Sequence, residues 1–199
     1  MSKLYFRYGV MGSGKSALLL QVAHNYEEKG MKVLIIKPEV DLIGKDYIHS
    51  RIGLERKADK VIKPTDNIKQ ILKEFGKENI SCLLVDEAQF FNREQIDELL
   101  LFAKTYDVPV ICYGLKTDFK TETFEGSKRL FELADELEEL ATICSCGKKA
   151  KVNARKVNGE FVSSGDQVAL DGIDNVEYEC LCAKCYLEKV LKIDIQKGE

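Results

Sequence analysis

Eight residues near the start of the chain, Gly9-Val10-Met11-Gly12-Ser13-Gly14-Lys15-Ser16, fit the pattern G-x-x-x-x-G-K-[ST]. They follow an aromatic and apolar run and open a segment of helical period, the setting in which this pattern cradles phosphate. Glycines let the backbone wrap an anion and aim N–H groups inward. The N-terminus of the following helix adds partial positive charge. Lys15 can reach the outer phosphates, and the Ser16 hydroxyl can ligate Mg²⁺. The pattern points to a nucleoside triphosphate and leaves the reaction open.

A second set of reactive groups lies in Leu83-Leu84-Val85-Asp86-Glu87-Ala88-Gln89. Two carboxylates close a short apolar run that reads as a buried strand, and the C-terminal edge of a parallel sheet holds the ligand crevice. Asp86 is the expected partner of the magnesium, and Glu87 can take a proton or position a water. If the strand runs on through both, their side chains point to opposite faces and only one aims at the metal. Asp-Glu-Ala-Gln also suits a RecA-like ATPase or helicase motor, where the glutamate activates water; in a kinase it would activate a substrate hydroxyl. The 199 residues leave room for one such lobe, and the net charge of −3 disfavours a nucleic-acid motor.

Cysteines form the third set. Cys82 and Cys112 sit alone in apolar runs and are expected to be buried as small hydrophobes. Cys144-Ser145-Cys146 and Cys182-Ala183-Lys184-Cys185 give two close pairs that can make a tetrahedral four-cysteine zinc site. Cys180 could replace Cys182 by spacing, but Cys182 and Cys185 have the usual C-x-x-C geometry. Four thiolates close the site, so the zinc would be structural.

The elements that must position these groups alternate. Leu4–Val10, Val33–Ile36, Cys82–Val85 and Val108–Tyr113 read as strands; Lys15–Lys29, Asp66–Gly76 and Arg93–Lys104 carry helical stripes, with Gly30 as a stop after the first. That rhythm predicts an α/β fold, a RecA-like parallel sheet covered on both faces, followed by a small zinc ribbon. Asp41–Lys63 is polar and long for a connection and reads as a functional loop. From Cys144 onward helical period is lost, and Lys151–Val157, Asn158-Gly159 and Glu160–Val162 read as a hairpin. These features predict a nucleotide-binding domain over 1–140, a zinc-binding domain over 141–190 and a frayed, charged tail over 191–199. His24 and His49 read as surface residues. Hydrophobic residues make up 45% of the chain and charged ones 32%, enough for a core. No apolar run approaches the roughly 18 residues of a membrane helix, and Met1–Tyr8 is too short and polar for a secretory signal. A cytoplasmic protein without membrane or nucleic-acid partners is expected.

Taken jointly, the motifs resemble the type II thymidine kinases, the cytosolic family of bacteria and animals. The likeness runs from Leu4 to about Tyr186. It rests on Gly9-Val10-Met11 leading into Gly14-Lys15-Ser16, on Asp86-Glu87-Ala88-Gln89-Phe90, and on Cys112-Tyr113-Gly114-Leu115 with Asp118-Phe119 and Phe124. Thr142-Ile143-Cys144 with Cys146-Gly147, and Tyr178 before Cys182, complete it. The resemblance implies Glu87 as the base for the thymidine 5′-hydroxyl, and Lys15, Ser16 and Asp86 as phosphate and magnesium residues. It implies Met11, Phe90, Leu115, Phe119 and Phe124 around the thymine, and Tyr178 on a lasso loop that closes over the base. Gly9–Ser16 with Asp86–Gln89 would take ATP. A homotetramer and feedback inhibition by thymidine triphosphate are implied as well. Two stretches depart from the family: Leu170–Tyr178 has one glycine where a Gly-Gly pair is usual and is two residues longer, and Ile43 stands where Asp-x-Arg after the second strand would place arginine. Arg51 could compensate.

Overall fold

Apolar runs without polar alternation belong to strands buried on both faces, and here they form one parallel sheet. The computed structural model describes residues 1–39, 46–76, 80–168 and 175–195; the expectations at Asp41, Ile43, Gly172 and the rest of 170–174 lie outside these residues. Six strands pair in parallel: β1 (Leu4–Gly9), β2 (Val33–Pro38), β5 (Lys60–Ile62), β6 (Cys82–Val85), β7 (Val110–Leu115) and β8 (Glu136–Glu139), in the order β5-β2-β6-β7-β1-β8. Alternate residues serve opposite faces. Leu34, Ile36, Leu83, Val85, Val110 and Cys112 pack against α2 (Ile68–Glu74), α3 (Arg93–Tyr106) and α4 (Glu125–Leu133). Val33, Ile35, Cys82, Leu84, Ile111 and Tyr113 pack against α1 (Lys15–Glu27). Cys82 and Cys112 are core residues, as expected.

Several elements differ from expectation. The stretch 41–63 is not one irregular loop: β3 (Tyr47–His49) and β4 (Glu55–Lys57) pair antiparallel, and β5 joins the sheet edge. These strands are three residues each, too short for period 2 to show. The acidic β8 was unforeseen because it is an edge strand whose glutamates face basic partners: Lys3 meets Glu136 and Arg7 meets Glu138, each at 2.6 Å. A helix does follow Cys144, since α5 (Ala183–Lys189) starts at Cys182, whose sulfur accepts from the Cys185 amide. It extends to Lys189, and Val190 is buried. The Asn158-Gly159 hairpin is present, with both residues at positive φ between β9 (Val152–Val157) and β10 (Glu160–Val162). With β11 (Val176–Leu181) these strands make an antiparallel ribbon, β10-β9-β11.

The parallel sheet brings the C-terminal ends of β6, β7 and β1 side by side, which places Asp86, Leu115 and the Gly9–Ser16 loop on one edge. The turn after β6 is wedged there by α4. A Cβ at Gly126 would lie 2.5 Å from the Ala88 carbonyl and 2.6 Å from that of Phe91. Gly126→Ala is therefore expected to push this turn outward and cost about 1–3 kcal/mol, lowering Tm by several degrees in calorimetry; an unchanged Tm would show that the turn yields freely.

Candidate functional site

The loop between β1 and α1 has the shape an anion needs. Gly12 and Gly14 both take positive φ, +72° and +80°, and nothing lies within 4 Å of a Cβ at Gly14. No side chain caps α1, and its first turn holds no acidic residue, so its N-terminal N–H groups remain available to a ligand. Ser13 Oγ is buried without a hydrogen-bond partner. Lys15 is 9% exposed, with Nζ donating to the Val10 carbonyl at 2.9 Å. Burial lowers the Lys15 pKa, while the charges of Glu87 and Asp86 work the other way. A buried ammonium, a bare helix start and an open glycine cradle together fit a polyphosphate.

Asp86 follows β6 and is 4% exposed. Burial, then the neighbouring Glu87 charge, push its carboxyl up to about 7; a divalent cation at this point would offset both. Lys37 on β2 also faces this carboxylate, and its Nζ donates to the Tyr47 carbonyl at 2.9 Å.

Glu87 parts from Asp86 for a reason other than strand alternation. β6 ends at Val85, and Glu87 takes a left-handed conformation, φ 48° and ψ 39°, as the turn 88–90 begins. Such a conformation is costly for a residue with a Cβ and persists where neighbours hold it. Gln89 does so. Its Nε2 donates to the Glu87 carboxylate, and its Oε1 accepts from the Leu115 amide at 3.0 Å. Gly114 makes room, because a Cβ there would sit 2.9 Å from Gln89 Oε1.

Around these groups lies a cavity of about 450 Å³. Met11, Gly12, Gly14, Lys15, Ser16, Asp86, Glu87 and Gln89 line one part of it, and Phe90, Leu115, Phe119, Phe124 and Tyr178 line another. Phe90 and Phe124 meet edge to face, with centroids 5.4 Å apart. Gly9, Val10, Ser13 and Ala88, also expected in the nucleotide site, are not among the lining residues. Val10 packs in the cysteine-bearing ribbon and Ala88 in the sheet core.

Arg51, which the sequence offers in place of the missing arginine, lines the cavity, and its Nη1 would stand 3.4 Å from a Cβ at Gly12, over the phosphate loop. Other residues at or beside the cavity were not anticipated. Arg155 is buried: its guanidinium lies 3.7 Å from the Phe119 ring centroid and donates to the carbonyls of Asp166 and Gln167 and to Tyr178 Oη. Gln167 Nε2 in turn donates to Asp118 at 3.1 Å. His49 also lines the cavity. In the sequence Arg155 lies in a basic segment with Lys148, Lys149, Lys151 and Lys156, and nothing in its spacing marks it as buried.

Cys144, Cys146, Cys182 and Cys185 bring their sulfurs within 4.8 Å of one another. Cys146 and Cys182 are 3.6 Å apart, close to the about 3.8 Å separation that Zn–S bonds near 2.3 Å give in a tetrahedron. Burial opposes the Cys144 thiolate, but hydrogen bonds from the Cys146 and Cys182 amides outweigh it and bring that thiol's pKa down. The donor set fits zinc. Cys180 stands apart, with its thiol on the Met11 carbonyl.

The basic run of the ribbon is largely neutralised. Lys149 and Lys151 pair with Glu139, Lys156 pairs with Glu179, and Arg155 points inward. Among the described residues no helix is long and apolar enough to cross a membrane.

Comparison with known sequences points to one family. Residues 2–186 match the family model described as thymidine kinase. The thymidine kinase of Shewanella oneidensis is 44% identical over 191 residues, which cover 94% of this chain and 98% of that one. That of Pasteurella multocida is 42% identical, covering 96% and 99%, and that of Vibrio cholerae is 44% identical, covering 94% and 98%. Purified protein is expected to carry about one zinc per chain. Cys146→Ser or Cys185→Ser should lose it and lower Tm; metal analysis of freshly reduced protein checks this, and a metal-free wild type would refute the four-cysteine assignment.

Proposed function

This chain belongs to the thymidine kinase family, and from that premise we propose that it transfers the γ-phosphate of ATP to the 5′-hydroxyl of thymidine, giving thymidine monophosphate and ADP. The observation that carries this reading is the meeting in one cavity of a phosphate loop, a carboxylate held by its neighbours and an aromatic wall. A flat pyrimidine suits Phe90, Leu115, Phe119, Phe124 and Met11, with Tyr178 beside it.

Lys15 and the amides of the Gly9–Ser16 loop hold the ATP phosphates and offset the charge that develops on them. Ser16 and Asp86 would hold Mg²⁺, which supplies further charge neutralisation when bound. Glu87 accepts the proton of the 5′-hydroxyl as that oxygen bonds to the γ-phosphorus and the bond to the β-phosphate oxygen breaks. Gln89 fixes the Glu87 carboxylate at the acceptor. Arg51 extends over the phosphate loop and takes the part that Ile43 cannot. Arg155 holds the segment 166–167 and Tyr178 at the nucleoside side. The same reading takes residues 1–140 as the nucleotide-binding unit, 141–190 as the zinc-bearing lasso unit and 191–199 as a tail, in a cytoplasmic homotetramer inhibited by thymidine triphosphate.

A nucleic-acid-stimulated ATPase would want exposed cations on the ribbon, and most of those are paired or buried. Assay of labelled phosphate transfer from ATP to thymidine, beside DNA-stimulated ATP hydrolysis, separates the two; transfer is expected, and hydrolysis without transfer would overturn the reading.

Two variants test the roles. Glu87→Gln keeps shape while removing the base, and should lower kcat by about 10²–10⁴-fold with thymidine binding nearly unchanged. Single-turnover phosphorylation measures it, and near-normal turnover would remove Glu87 from the mechanism. Lys15→Ala should cost about 10²–10³-fold in kcat with Tm maintained.

A further inference from the structure

Two side chains of the ribbon reach across to the phosphate loop. Asn153 on β9 and Cys180 on β11 are direct cross-strand partners, so they leave the ribbon on the same face. Both end on Met11. Asn153 Oδ1 accepts from the Met11 N–H at 2.8 Å, and the Cys180 thiol donates to the Met11 carbonyl at 2.6 Å. Asn153 is 2% exposed, and its Nδ2 donates to the Thr117 carbonyl at 3.1 Å, which ties it to the loop after β7. Val10, one residue earlier, packs among Cys144, Cys182 and Cys185.

Among the described residues no peptide is cis, and a trans peptide points its C=O and N–H in opposite directions within one plane. Asn153 draws the Met11 N–H to the ribbon, which turns the Val10 carbonyl away from it. That carbonyl accepts from Lys15 Nζ at 2.9 Å and from the Ser13 amide at 3.3 Å. Cys180 draws the Met11 carbonyl to the ribbon, which directs the Gly12 N–H to the opposite side. Gly12 sits at φ +72° without a side chain, so little in its own conformation keeps this peptide from turning over.

We propose that Asn153 and Cys180 are positioning residues for the phosphate loop: gripping both polar groups of Met11, they fix the two peptides that orient Lys15 and the Gly12 N–H toward the phosphates of ATP. The ribbon thus serves the nucleotide as well as the nucleoside. This rests on the reading of Gly9–Ser16 as the ATP loop, and not on which hydroxyl accepts the phosphate.

The test is ATP binding without nucleoside, followed by displacement of a fluorescent ATP analogue. Cys180→Ala removes the donor and Cys180→Ser restores one. The Kd for ATP is expected to rise about three- to tenfold in Cys180→Ala, the range of one hydrogen bond, and to return close to wild type in Cys180→Ser. In steady state the KM for ATP should rise while the KM for thymidine, the zinc content and Tm stay unchanged. Asn153→Leu, of similar volume with no acceptor, should weaken ATP at least as much; the Cys180 pair decides alone if that variant does not fold. Unchanged ATP affinity in Cys180→Ala would overturn the proposal. So would an equal rise in both KM values, or a loss of zinc that accompanies the loss of affinity. Weakened ATP binding in Cys180→Ala with no thymidine phosphorylation by any form, wild type included, would uphold the grip while removing the thymidine assignment.

Discussion

Lys15 is an ammonium held nearly out of solvent at the start of a helix that carries no acidic residue in its first turn. Burial lowers its pKa, and the charges of Glu87 and Asp86 oppose this, while its Nζ donates to the Val10 carbonyl. The carboxylates have the complementary problem, since burial drives Asp86 toward its neutral form. Each group partly offsets the cost of burying the other. The sheet order brings them to one edge: β6 and β1 flank β7, a run of buried residues between them. An anionic substrate enters a place where cationic charge and free N–H groups have already been gathered, so binding requires little reorganisation.

The Glu87 carboxylate is positioned by contacts that are mostly backbone and amide. Its left-handed conformation is held by Gln89, and Gln89 is held by the Leu115 amide in the space that Gly114 leaves. Gly126 lets α4 press on the same turn. A base that must meet a hydroxyl at hydrogen-bond distance needs this sort of fixing, because small displacements cost much in rate. The strained residue, the two glycines and the glutamine form one device, although they come from three separate stretches of chain.

The sheet, its alternation with helices and the three reactive sets were legible because each leaves a local mark: continuous apolar runs, helical stripes, glycines before Lys15, paired cysteines. Edge elements were not. β8 reads as four acidic and apolar residues without a pattern, and only the lysine and arginine of the N-terminal segment explain it. Glu87 illustrates the limit differently. Strand alternation predicted that it would part from Asp86, which it does, but by a turn that starts at the residue itself. Arg155 and Asn153 were illegible for a further reason. Their partners here are backbone carbonyls and amides, in Asn153's case 142 residues away, and a backbone group has no signature in sequence.

The ribbon carries a small core. Among the described residues its buried apolar cluster holds nine, three of them cysteines of the four-cysteine group and one, Val10, borrowed from the phosphate loop. Segments with so little apolar area are seldom stable alone and depend on metals or disulfides for the remainder. Four thiols gathered in the ribbon therefore bear on more than the ribbon itself. Whatever they contribute to its folding also holds Val10 in place, and with it the first turn of the loop that meets the phosphates. A structural metal held by these thiols would act on the phosphate loop through the packing of Val10, without approaching the nucleotide.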